Sequence, residues 1–135
     1  MNHKNAKNSN PWSVLEADVK FDCQYFSIRQ DIVQHAQGAA RPYNSVRMKF
    51  HGVCVAPIDN EGCLTLVGQY RYVLDRYSWE LSGGGSLVGK SHLDTAKAEL
   101  SEETGMTAEY WLKIVEASVS PGTSDEVTPA YVAWG

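Results

Sequence analysis

Little in this chain ties it to nucleic acid, to a membrane or to an oxidising compartment. Twelve Lys and Arg stand against 16 Asp and Glu, a formal net charge of -4, so the basic footprint of a nucleic-acid binder is missing. No apolar run approaches the ~18 residues needed to cross a bilayer. The opening MNHKNAKNSN has no apolar centre of the kind a signal peptide carries. Cys23, Cys54 and Cys63 are odd in number and lack paired spacing, so they read as reduced thiols of a cytoplasmic protein. His3, His35, His51 and His92 are scattered without ligand spacing, which argues against a zinc site. No internal repeat is evident.

What is present is one stretch of concentrated charge. In residues 83–106, GGGSLVGKSHLDTAKAELSEETGM, three carboxylates (Glu99, Glu102 and Glu103) fall within five residues, and a glycine follows. Glu99 and Glu103 are spaced i, i+4, where like charges repel by about a few tenths of a kcal/mol unless a cation sits between them. The preceding glycines read as a turn whose backbone can approach a phosphate closely. Together these features suggest a divalent-metal site facing a phosphorylated substrate.

The 135 residues suffice for one domain with a core. Residues 1–10, polar and Asn-rich, are expected to form a disordered arm. Strands are expected at residues 13–20 and 24–30, a turn or loop at 34–44, and strand again over 45–58. Asp59-Asn60-Glu61-Gly62 is turn chemistry, and residues 63–72 read as the return strand of an antiparallel hairpin. Ser91 can cap a helix, with Leu93, Ala96 and Leu100 as its apolar stripe, the glutamates off that stripe, and Gly105 as its stop. Strands are expected at 111–119 and 128–134, flanking the loop SPGTSDEV. The chain ends one residue later, which would leave the last strand as a bare edge. Mixed strands with one marked helix indicate an α/β or α+β domain.

The glycine and glutamate pattern resembles the Nudix box, Gx5Ex7REUxEExGU with U aliphatic. Gly84 aligns with its first glycine, and Glu99, Leu100, Glu102, Glu103, Gly105 and Met106 fit its second half. Lys90 stands where the box has glutamate, Ala98 where it has arginine, and Ser82 where many relatives have proline. GQYRYVLDRYSWEL (68–81) and SPGTSDE (120–126) are similar to segments flanking the box in the subgroup that hydrolyses ADP-ribose and other nucleoside diphosphate sugars. PWSVLEADVKFDCQYFSIRQD is similar to that subgroup's N-terminal β-region, which commonly pairs two subunits. The resemblance covers residues 10–135.

This resemblance implies a Nudix fold, an α/β/α sandwich with a mixed sheet and a loop-helix-loop, spanning residues 11–135. Residues 11–44 would be the dimerising β-region and 45–135 the core. Relatives usually continue further, so the chain reads as C-terminally truncated. The implied activity is metal-dependent hydrolysis of a nucleoside diphosphate sugar, with ADP-ribose favoured, Mg2+ or Mn2+ as cofactor, and a homodimer as the assembly. By the same resemblance Glu99 and Glu103 would ligate the metal, Glu102 directly or through water, and the Gly83 carbonyl would complete the shell. Glu126 would be the general base, with Asp125 as its alternate, on a loop able to close over substrate. Arg71 would contact a phosphate and Glu80 the sugar or nucleoside, although the two could equally form a structural ion pair. Gly84 would lie against the substrate. Tyr70, Tyr77 and Trp79 could stack on a base or belong to the core. Lys90 would partly compensate for the missing box residues. The competing expectation is a degenerate domain that binds nucleotide without hydrolysis.

Overall fold

A buried carboxylate divides the first sheet. In the computed structural model of the chain, which describes residues 10–87 and 89–135, strands β1 (Trp12–Glu16) and β2 (Val19–Asp22) lie one after the other along one side of the long strand β3 (Phe26–His35). β1 pairs with the C-terminal half of β3 (Trp12 opposite His35) and β2 with its N-terminal half (Asp22 opposite Ser27). Between them Asp18 N–H donates to the buried Asp31 carboxylate (3.3 Å), which also binds the Arg29 guanidinium (3.0 Å). The single strand expected over 13–20 is therefore cut at residue 18, because a buried charge must be met by donors. β4 (Arg41–Met48) covers the other side of β3. The loop expected over 34–44 shrinks to residues 36–40. Pro42 is tolerated in β4 because β3 alone pairs with the strand there; the other side of β4 is engaged further along, at Val46, by a bridge to Ser124. All but Asn10 of the expected disordered arm lies outside the described residues.

The second sheet is mixed, as expected. Its order is β8 (Ser82–Leu87), β5 (Phe50–Ile58), β10 (Thr128–Trp134), β9 (Tyr110–Ala117), with β5 and β10 parallel and the other neighbours antiparallel. Helix α1 (His92–Thr104) lies across one face. Ala96 and Leu100, from the expected stripe, are buried against Val53, Val55, Tyr131 and Ala133, with Leu93 packed beside them. Full burial of a side chain like Leu100 stabilises the fold by about 1.5–3 kcal/mol. The last strand is not the bare edge expected. β10 is held between β5 and β9, and the edges are β8 and β9. Among the described residues one helix covers one face of this sheet. No helix among the described residues is long and apolar enough to cross a membrane.

The hairpin expected over 45–72 forms only as a stub. Asp59 Oδ1 accepts from Glu61 N–H (2.9 Å) and Cys63 N–H (2.8 Å), and Gly62 takes a positive φ of 82°, so the turn is as read. Pairing then stops at a single bridge between Ile58 and Leu64. Both sides of β5 are already taken, by β8 and β10. The chain departs instead into a separate ribbon of β6 (Val67–Arg71) and β7 (Arg76–Glu80), joined by a 3-10 turn at Tyr72–Leu74.

Candidate active site

Local chemistry fixes both ends of the acidic helix. Ser91 Oγ accepts from Asp94 N–H (3.2 Å), and Gly105 adopts the left-handed conformation (φ 71°) with its N–H on Ser101 O (2.9 Å). Because Ala96 and Leu100 face the sheet, Glu99 and Glu103 fall one turn apart at the margin of that face, and Glu102 points to solvent. The glycines expected as a turn are strand residues of β8, paired with Cys54, Val53 and Gly52. Close approach is what excludes side chains there. A Cβ on Gly83 would strike the Val53 carbonyl oxygen, and one on Gly84 would occupy the place of the Glu99 carboxylate. Gly83 N–H donates to Glu103 Oε2 (3.0 Å). Partial burial, then the neighbouring Glu103 and Glu102 charges, push the Glu99 carboxyl above its ordinary value.

The β6–β7 ribbon brings a cation to this cluster. Arg71 Nε donates to both Glu80 oxygens at 3.0 Å, and its Nη2 forms an ion pair with Oε2. The ion-pair alternative is thus realised. The hydrogen bond to Glu80 raises the Arg71 pKa, and Glu103 adds its field. The same bond holds Glu80 below the usual carboxylate value. Solvent screens an exposed pair of this type, so it adds little to stability. Tyr70, Tyr77 and Trp79 are 61%, 56% and 66% exposed, which rules out the core for all three. Tyr77 and Trp79 pack edge to face at 5.5 Å over Gly68, which has no side chain to obstruct them.

The structure does not gather every expected residue. Lys90 is exposed in the turn before α1, its N–H on Leu87 O (3.0 Å), and it makes no ion pair among the described residues. Ala98 is exposed as well. Glu126 is half-buried just before β10, at the end of the sheet where β5 begins, and its N–H donates to Ser124 Oγ (3.1 Å). Asp125 is occupied elsewhere, accepting from Met48 N–H (2.8 Å) and pairing with Arg47 (3.4 Å). Sequence reading gave no sign of that tie, because 77 residues separate Asp125 from Met48 and no local pattern marks it.

The donor set suits a hard divalent cation: three carboxylates, one of them favoured in its protonated form by burial and then by the other two, beside strand glycines. As they stand, among the described residues, no three His, Cys, Asp or Glu side chains converge on one point. Glu103 is turned to the Gly83 N–H. The residues fit the ion by chemistry and proximity, and rotation of the glutamate side chains would have to close the shell.

An acidic helix clamped to a glycine strand of a mixed sheet, with an Arg–Glu pair on an adjoining ribbon, defines an α/β domain with a carboxylate cluster at the margin of its sheet. A solved structure of an ADP compounds hydrolase shares this fold, with a TM-score of 0.83 over 96% of this chain and 70% of that one at 22% identity. An ADP-ribose pyrophosphatase of Mycobacterium tuberculosis is 34% identical over 111 residues, 82% of this chain and 53% of that protein. A methanol dehydrogenase activator of Bacillus methanolicus is 37% identical over 121 residues, 90% of this chain and 65% of that protein. An ADP-ribose pyrophosphatase of Bacillus subtilis is 37% identical over 81 residues, 60% of this chain and 44% of that protein. The chain thus spans about half the length of the curated relatives it matches. No family model matches it. The chain belongs to the Nudix hydrolase family.

Proposed function

We propose that the chain is a pyrophosphohydrolase of nucleoside diphosphate sugars, with ADP-ribose the favoured substrate, releasing a nucleoside monophosphate and a sugar phosphate. The observation that carries this reading is the placement of Glu99 on Gly84 with Glu102 and Glu103 charging it from the same helix. Relatives named ADP-ribose pyrophosphatase support the choice of substrate. Glu99 and Glu103 would hold Mg2+ or Mn2+, with Glu102 direct or through water and the Gly83 carbonyl completing the set. A bound ion of this kind neutralises pyrophosphate charge and acidifies water. Glu126 takes the proton of the attacking water. Arg71, kept charged by Glu80, offers its remaining donors to a phosphate oxygen. Glu80 orients the sugar side, Gly84 lets the substrate lie close, and Lys90 contributes positive charge at the rim. The exposed Tyr77 and Trp79 provide a stacking surface for the base. The protein works in the cytoplasm as a homodimer.

Incubation with ADP-ribose and a panel of nucleotide sugars, with Mg2+ or Mn2+, tests this reading by product analysis. The expected result is metal-dependent release of AMP and ribose 5-phosphate. A second reading, nucleotide binding without hydrolysis, draws on the exposed Ala98 and the unpaired Lys90, which leave the trio without the cation the box normally supplies. Binding without turnover across the panel would establish that second reading instead.

A further inference from the structure

The loop expected to close freely over substrate is fastened to the N-terminal sheet. Tyr43 Oη donates to Gly122 O (2.7 Å) and Val46 N–H to Thr123 O (2.8 Å). Asp125 N–H returns a bond to Val46 O (3.3 Å), while its carboxylate takes Met48 N–H (2.8 Å) on one oxygen and Arg47 Nη1 (3.4 Å) on the other. All five bonds come from β4, which crosses to a segment 77–79 residues away along the chain. On the other side of Glu126, Pro129 and Ala130 are already buried in β10. Glu126 is therefore suspended between a latch at residue 125 and a core strand that begins two residues later. Its own carboxylate makes no hydrogen bond or ion pair among the described residues, so only the backbone on either side fixes where it points.

We propose that Asp125 is a positioning residue, latching the loop to β4 so that Glu126 stands where a general base is needed, with Tyr43 as the second point of attachment. One Asp125 oxygen accepts from Met48 N–H and the other pairs with the Arg47 guanidinium, so the carboxylate is directed to β4. The proposal rests on the reading of Glu126 as base. A short loop carrying a lone carboxylate would otherwise sample many positions, and misplacement by about 1 Å can cost about 100-fold in rate. Because the latch belongs to β4, the N-terminal sheet takes part in the active site without supplying a reacting group.

The test compares Asp125→Ala, Asp125→Asn and Tyr43→Phe with the wild type, reading turnover of ADP-ribose with Mg2+ and amide hydrogen exchange. Asp125→Ala should lower kcat at least about tenfold with KM within about twofold. Exchange should quicken over residues 120–127 and stay unchanged over helix α1. Asp125→Asn keeps an oxygen for Met48 N–H and should recover most of the rate, because the exposed Arg47 pair adds little. Tyr43→Phe removes one hydroxyl and should shift both readouts the same way by less, which keeps the test open if Asp125→Ala does not fold. Wild-type kcat and exchange in these variants would overturn the latch, as would a loss confined to KM or an Asn variant as poor as Ala. If the wild type itself turns over no substrate, the hydrolase reading fails, and the latch is then decided by exchange alone: quickened exchange over 120–127 in Asp125→Ala upholds the tether, and unchanged exchange removes it.

Discussion

Because Gly84 has no side chain, the Glu99 carboxylate can rest on the strand and still face Glu103 one helical turn away. Both burial and like charge then favour its protonated form, which gives the site a pH signature. A carboxyl whose folded pKa is raised contributes stability that is fully present below its unfolded value and lost as pH rises through the folded one. In chelator, wild-type thermal stability should therefore fall relative to Glu99→Gln as pH climbs from the ordinary value of 4.5, and millimolar Mg2+ or Mn2+ should reduce that fall. Parallel pH profiles for the two proteins would refute it. Gly84→Ala probes the space rather than the charge. The flexible carboxylate can swing aside, so the variant should fold, with metal-dependent turnover down by about 100-fold. An unchanged rate would mean that the contact with Gly84 has no part in the chemistry.

At the level of elements, α1 shows how far a sequence reaches. Its start, stop and buried face were legible because each is written locally, in Ser91, in Gly105 and in the spacing of Leu93, Ala96 and Leu100. Ser91→Ala should cost about 1 kcal/mol and Leu100→Ala about 2–5 kcal/mol, read from urea midpoints at constant slope. A Ser91 variant as costly as the Leu100 variant would mean that the cap is not the only role of Ser91. Glycine content misled at Gly83 and Gly84, since the reason for those glycines is the Val53 carbonyl oxygen and the Glu99 carboxylate, both remote in sequence. The return strand after Gly62 failed for the same kind of reason: β5 had already committed both sides to strands that come later in the chain. The trio and its helix could thus be read from the residues, while the latch of Asp125 onto β4 and the interior place of β10 depend on pairings that no local pattern encodes.

Viewed as a whole molecule, the chain leaves apolar side chains exposed on both faces of its N-terminal sheet. Val14 and Leu15 of β1, Val19 and Phe21 of β2 and Ile28 of β3 are all exposed, and among the described residues no strand lies beside the outer edges of β1 and β2. An open edge invites pairing with another chain, and pairing there would cover apolar side chains next to the edge. A second copy of the chain is the occupant that the N-terminal resemblance implies, and a stable pair would need to cover about 800 Å² on each partner. Sedimentation at micromolar concentration should therefore give a dimer for the wild type. Val14→Asp with Phe21→Asp, one charge on each outer strand, should give a monomer that keeps its far-UV circular dichroism, because neither side chain is part of the buried core. A monomeric wild type, or a double variant that remains dimeric, would assign this surface to something other than self-pairing. The outcome also bears on the site, since the sheet that would pair the subunits is the one whose β4 holds the Glu126 loop.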